Sequence, residues 1–104
     1  MGIKFRRIFW VTEQFDDEGF SEVTGIYTSV PDLIETGLGT RVYGDKKAGF
    51  RITLCALDTT RPPLLSFSSP DFQNVEAHLA QFVESGEMSS DEVARLAEAL
   101  RRPR

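Results

Sequence analysis

Residues 69–103 read SPDFQNVEAHLAQFVESGEMSSDEVARLAEALRRP, and this stretch decides the fold. Its large apolar side chains recur at intervals of three and four, which is the period of a helix that buries one face. The spacing predicts two helices, at about 70–85 and 90–102. Their apolar stripes comprise Phe72, Val75, Leu79, Phe82 and Val83 in the first helix, and Val93, Leu96 and Leu100 in the second. Because stripes of this size must leave water, we expect both helices to dock on another apolar layer.

Residues typical of helix ends flank both predicted helices. Ser69 is placed to cap the first helix, Pro70 presets its first turn, and Gly86 stands just after its end. Ser89 and Glu92 have the spacing of a capping box at the start of the second helix. The two helices are therefore predicted to form a hairpin with a short connection.

The chain before residue 69 has the alternation of strands. Apolar and polar residues alternate in segments that are rich in β-branched and aromatic types, which predicts five strands. These strands lie at about 3–14, 22–28, 40–44, 49–57 and 64–67. Turn residues after the first and third strands predict two hairpins, and Pro62 and Pro63 make the last strand an edge strand. A short helix is predicted at about 30–36, with Ser29 as its cap.

Antiparallel hairpins followed by paired helices are typical of the α+β class. We predict an antiparallel sheet of about four to five strands with a C-terminal helical hairpin packed on one face. The chain has 104 residues, of which 40% are hydrophobic and 27% charged, which is enough apolar material for a core. Its length suits one domain that spans residues 1–104, and we find no internal repeat or linker.

The expected cellular compartment follows from three features that we do not find in the sequence: a cysteine pair, a signal-peptide core and a membrane helix. Cys55 is the single cysteine, so no intramolecular disulfide can form and an oxidising compartment is not indicated. The apolar run Ile8-Phe9-Trp10-Val11 is shorter than a signal-peptide core of about 7 to 15 residues. No window approaches the roughly 18 apolar residues of a membrane helix. We therefore expect a soluble, cytoplasmic protein with no membrane contact.

The sequence has no recognisable catalytic, metal-binding or cofactor-binding motif. His78 is the only histidine and lies at the border of an apolar helical stripe, while Cys55 lies within an alternating strand. The acidic run at 16–18 lacks the ligand spacing of a calcium loop and is predicted to be a turn. Residues 39–46 resemble a phosphate loop, but Asp45 replaces its lysine. We predict no catalytic residue, metal or cofactor; if the chain were an enzyme, His78 or Cys55 would be its reactive group.

The net charge of −4 is unevenly distributed along the chain. Segments 1–14 and 37–61 carry +2 and +3, whereas segments 15–36 and 62–100 carry −6 each. The cations on the strands can pair with neighbouring acids, or they can form a basic and aromatic platform for single-stranded nucleic acid. That platform would comprise Lys4, Arg6, Trp10, Arg41, Tyr43 and Arg51. The sequence pI of about 4.9 argues against it, because acidic helices repel phosphate at longer range.

The function expected by elimination is that of a small cytoplasmic protein-interaction or regulatory module, with self-association as a homodimer among its forms. Any apolar helix surface left uncovered by the sheet would suit a basic or amphipathic protein partner, with contacts at Glu76, Glu84 and Arg95. The same six basic and aromatic residues would serve as contacts on the strands. A single-stranded nucleic-acid binder remains the alternative. An open face that gathers the cationic strand residues would favour nucleic acid, and a covered one would favour protein association.

Overall fold

The structure, a computed structural model, describes residues 7–41, 47–57, 60, 63–69 and 72–102. Four strands form one antiparallel sheet in the order β2-β1-β3-β4. The strands are β1 (Ile8–Asp16), β2 (Ser21–Tyr27), β3 (Lys47–Ala56) and β4 (Pro63–Ser68). With helices at the C-terminal end of the chain, this architecture confirms the α+β class and the antiparallel sheet.

Three helical segments accompany the sheet. The first, α1 (Val30–Asp32), continues through a π-helical turn at Leu33–Gly37 and a 3-10 turn at Leu38–Thr40. The two C-terminal helices are α2 (Val75–Glu84) and α3 (Ser90–Arg101). None of the helices in the described ranges is long and apolar enough to cross a membrane.

The core lies between one face of the sheet and the helices. Alternate residues of β3 point into it, so Ile52 and Leu54 are fully buried, while Arg51 and Thr53, which precede each of them, are partly exposed. The helical stripes predicted from the sequence meet this face. A single buried cluster joins Trp10, Val30, Leu33, Leu38, Phe50, Ile52, Leu54, Phe67, Phe72, Val75, Leu79, Phe82, Met88, Val93, Leu96, Ala97 and Leu100. The helical hairpin therefore covers one side of the sheet, as expected.

The predicted strand at 40–44 begins inside a helical turn. Thr40 ends the 3-10 turn, and its hydroxyl donates a hydrogen bond to the Gly37 carbonyl over 2.7 Å. That bond holds Thr40 in the turn, so extended backbone begins only at Arg41. Residues 42–46 lie outside the described residues. Among the described strands, β3 pairs with β1 and β4, which corrects the second hairpin expected from the sequence.

The first long helix starts later than predicted because Ser69 does not cap it. The Ser69 amide donates to the Phe50 carbonyl over 2.8 Å, and the Ser69 hydroxyl accepts from the Phe50 amide over 2.9 Å. Ser69 thus extends the pairing of β4 with β3. Helix α2 starts at Val75, and Asn74 before it makes no capping bond with its side chain.

The other helix ends follow the sequence pattern closely. The Ser89 hydroxyl accepts from the Glu92 amide over 3.1 Å, and the Glu92 carboxylate accepts from the Ser89 amide over 2.9 Å. Gly86, at φ +82°, ends α2 with its amide on the Val83 carbonyl. The capping box and the glycine stop are confirmed.

Candidate interaction surfaces

The face of the sheet opposite the helices carries side chains that stay partly or wholly exposed. We call it the open face and define it by Phe9, Val11, Glu13, Phe15, Val23, Ile26, Arg51, Thr53, Ser66 and Ser68. Val23 and Ile26 on the outer strand β2 are 59% and 63% exposed. Half of these ten residues are apolar, and the apolar ones lie on the neighbouring strands β1 and β2, which is unusual for a sheet surface left to water.

One ion pair lies in the middle of the open face. Arg51 and Glu13 are neighbours across β3 and β1, with Arg51 Nε 3.5 Å from Glu13 Oε1. The guanidinium carbon of Arg51 also lies 4.5 Å from the centre of the Phe15 ring, a cation–π contact. The exposed Arg7 precedes β1 on the same side of its alternation, at the end of this face. The middle of the open face is therefore electrically neutral.

Cys55 continues the outward row of β3, yet it is only 7% exposed. Burial raises the pKa of its thiol, and the negative charge of Glu13 raises it further. Both effects disfavour the thiolate, which is the reactive form. The position fits the packed strand thiol expected from the sequence.

The structure does not gather the residues of the expected nucleic-acid platform. Trp10 is 2% exposed and points to the helices, because it shares its side of β1 with the buried Thr12 and Gln14. Arg41 is 8% exposed. The expectation that these two side chains lie open beside Arg51 is wrong, since Arg51 is on the opposite face. Lys4, Arg6 and Tyr43 lie outside the described residues.

Arg41 has a structural role that sequence reasoning missed. Its Nε donates to the Leu38 carbonyl over 3.1 Å, and Nη1 and Nη2 lie 3.4 and 3.5 Å from the carbonyls of Leu100 and Ala99. The carbonyls in the last turn of a helix lack partners within the helix and carry its negative end charge. Arg41 therefore caps α3 from another part of the chain. No local signal could have found this pair, because 59 residues separate Arg41 from Leu100.

The residues expected to contact a partner on the helices lie on outer surfaces. Glu76 accepts both guanidinium nitrogens of Arg101, over 3.0 and 3.2 Å, which joins α2 to α3. The bond from Arg101 holds the pKa of the Glu76 carboxyl below its usual value. Glu84 is exposed, and Arg95 pairs with Asp91 on its own helix over 3.0 Å. Two of these three charged side chains, Glu76 and Arg95, therefore already form ion pairs within the molecule.

A groove runs between the outer edge of β4 and α2. It encloses about 370 Å³ and is lined by Leu65, Ser66, Phe67, Ser68, Asn74 and His78. The His78 ring lies with its centre 5.9 Å from that of Phe67. His78 is exposed, in keeping with its expected place at the border of the apolar stripe. We call this cavity the edge groove.

Metal ligands do not cluster within the ranges that the structure describes, where no three His, Cys, Asp or Glu side chains are arranged to hold an ion. A further cavity of about 230 Å³ lies between α1 and α3, where charged side chains of α3 form much of its lining. Comparisons of the chain with protein-family models, with curated proteins and with solved structures give no match.

Proposed function

We propose that this protein is a small interaction module, without catalysis of its own, that docks another protein on its open face. The observation that carries the proposal is the set of exposed apolar side chains on β1 and β2, beside a fully formed core. Exposed apolar patches of this kind are typical of protein contact sites. The single cysteine, which is buried, is in keeping with a cytoplasmic setting.

The partner that the charges favour is a second copy of the chain. Each copy carries a net charge of −4, so contact through the acidic helices would be repulsive. The middle of the open face has no net charge, since Glu13 and Arg51 pair with each other. In a two-fold dimer the same patch meets itself, and the Glu13–Arg51 pair of each copy stays intact.

The size of the sheet allows a weak dimer. Strands lie about 4.8 Å apart and rise about 3.3 Å per residue, so four strands with a longest span near 30 Å present roughly 500 Å². Two such faces bury roughly 1,000 Å², which is the lower limit for a specific interface. We expect a dissociation constant of about 10 to 100 µM.

Sedimentation equilibrium over a range of concentrations tests this dimer. Ile26→Lys puts a charge among the exposed apolar side chains of the contact, so we expect the dissociation constant to rise at least tenfold, about 1.4 kcal/mol. Phe20→Lys is the matched control, because Phe20 is 69% exposed but lies in the turn between β1 and β2. Its dissociation constant should stay within about twofold of that of the unchanged chain.

Two results would contradict the proposal. The first is a strict monomer up to roughly 1 mM, where the association free energy is weaker than about −4 kcal/mol. The second is a dimer that Ile26→Lys and Phe20→Lys weaken equally, since that would place the contact outside the open face.

A further inference from the structure

The edge groove lies beside main-chain groups that the sheet leaves free. Among the described residues no strand lies beyond β4, so one side of its backbone faces outward. The Ser69 amide bonds the Phe50 carbonyl, which marks Phe50 and Ser69 as a hydrogen-bonded pair of the ladder. Bonded and non-bonded pairs alternate along antiparallel strands.

This alternation determines which residues of β4 face the groove with their backbone. In the observed register Ser68 lies opposite Arg51 and Ser66 opposite Thr53, one and three steps from the bonded pair. Both are therefore non-bonded pairs, and the N–H and C=O groups of Ser66 and Ser68 point away from β3. Both residues also line the edge groove.

We infer that the edge groove binds an extended peptide segment of another protein, which pairs with β4 as an added strand. Donors and acceptors repeated on every second residue match the backbone of an extended chain. Alternate side chains of the peptide would enter the groove against Phe67 and His78. Because the described residues that line the groove include no acidic, lysine or arginine side chain, we expect those side chains to be apolar or aromatic.

Two further observations favour a short peptide at this edge. A volume of about 370 Å³ is at the small end of ligand pockets, which suits a few side chains rather than a folded surface. Strand β4 also has no charged residue, whereas natural edge strands usually carry charges that prevent pairing. Ser66 and Ser68 also belong to the open face through their side chains, but the peptide would use their main chain at the edge of the sheet, whereas the proposed dimer uses the face.

Selection from a displayed library of random peptides of about ten residues, on the full-length chain, tests the inference. Enriched sequences should alternate apolar and polar residues, and a fluorescent synthetic copy of one gives the affinity by anisotropy. A selection that enriches no binding sequence overturns the inference.

The decisive variant is Ser66→Pro, with Ser66→Ala as its matched control. Proline removes the outward N–H and places a ring at the edge, where a strand tolerates it. Alanine removes only the hydroxyl and keeps the main chain. We expect at least a tenfold loss of peptide affinity for Ser66→Pro and a change within about twofold for Ser66→Ala. Equal affinity in the two variants overturns the inference.

Amide hydrogen exchange on the unchanged chain provides a test that needs no variant. Peptide binding should slow exchange at Ser66 and Ser68, because both amides become hydrogen-bonded. Unchanged exchange at saturating peptide overturns the inference. In the Ile26→Lys variant, whose open-face dimer is weakened, protection that rises with protein concentration alone also overturns it, because β4 would then pair with a second copy.

Discussion

At the scale of single residues, one arginine shows how far a side chain can act from its position in the sequence. Arg41 follows the helical segment 30–40 and places its guanidinium on the last turn of α3. The same side chain also bonds the Leu38 carbonyl that precedes it. Arg41 thereby adds hydrogen bonds between two helical segments that also share the buried core.

Removal of this cap should cost more than removal of a surface ion pair. We expect Arg41→Ala to lower the free energy of unfolding by about 2 kcal/mol, because buried carbonyls lose a charged donor. Arg95→Ala is the control, since Arg95 and Asp91 are each 70% exposed and such pairs contribute about 0.5 kcal/mol or less. Urea unfolding followed by circular dichroism measures both. Equal losses of unfolding free energy in the two variants would show that the Arg41 cap does not stabilise the protein more than a surface ion pair does.

At the scale of elements, the start of α3 is set by its own residues, whereas the start of α2 is set by contacts with a neighbouring strand. The Ser89 and Glu92 capping box starts α3 within four residues of sequence, so a local pattern was enough to predict it. Ser69 has an equally good capping sequence, but its amide and hydroxyl are taken by Phe50 of β3. Tertiary pairing therefore displaced the start of α2 to Val75.

The ion pair between Glu76 of α2 and Arg101 of α3 predicts that the stability of the folded chain depends on pH. Arg101 lowers the pKa of the Glu76 carboxyl in the folded chain. The ion pair therefore stabilises the folded state at pH values above the pKa that Glu76 has in the unfolded chain. This stabilisation is lost as the pH falls through the lower pKa of the folded chain. We expect Glu76→Gln to lower the thermal midpoint at neutral pH, with a difference that disappears as the pH falls below the ordinary range of a glutamate carboxyl. Glu84→Gln on the same helix is the control, because Glu84 forms no ion pair with a described residue. A difference that persists unchanged at low pH would contradict this assignment.

At the scale of the whole molecule, the burial of Trp10 separates the two functions that the sequence left open. The indole is 2% exposed and faces the helices, so bases cannot stack on it while the chain is folded. Arg51 alone of the described platform residues lies on the open face, and it is already paired with Glu13. This distribution favours protein association over nucleic acid.

Oligonucleotide titration tests that preference directly. We expect the Trp10 emission to stay unchanged when single-stranded oligothymidine or oligouridine is added at low salt, and to move to longer wavelength only on unfolding. A labelled oligonucleotide should likewise show no rise in anisotropy. A rise that falls steeply with added salt would restore the nucleic-acid function.

How much of the interaction surface could be predicted from the sequence depends on register. Alternation identified β1 and β3 as strands, and it placed Trp10 on one side of β1 and Val11 on the other. Which side would meet the helices was not a local property, because both sides of β1 carry apolar residues. Pairing of Val11 with Ile26 and of Glu13 with Arg51 made the open face, and these contacts join separate segments.

The α+β class, the three helical segments and the ends marked by Ser89 and Gly86 follow from local sequence. Those features depend on hydrogen bonds and periodicity within a few residues, which the folded chain retains at these positions. Where Trp10 points, what Arg41 caps and where α2 begins depend instead on contacts between distant segments. Each of these depends on which distant segment packs against a buried ring or forms a hydrogen bond with a free carbonyl or amide. The register of the paired strands determines which segments come together.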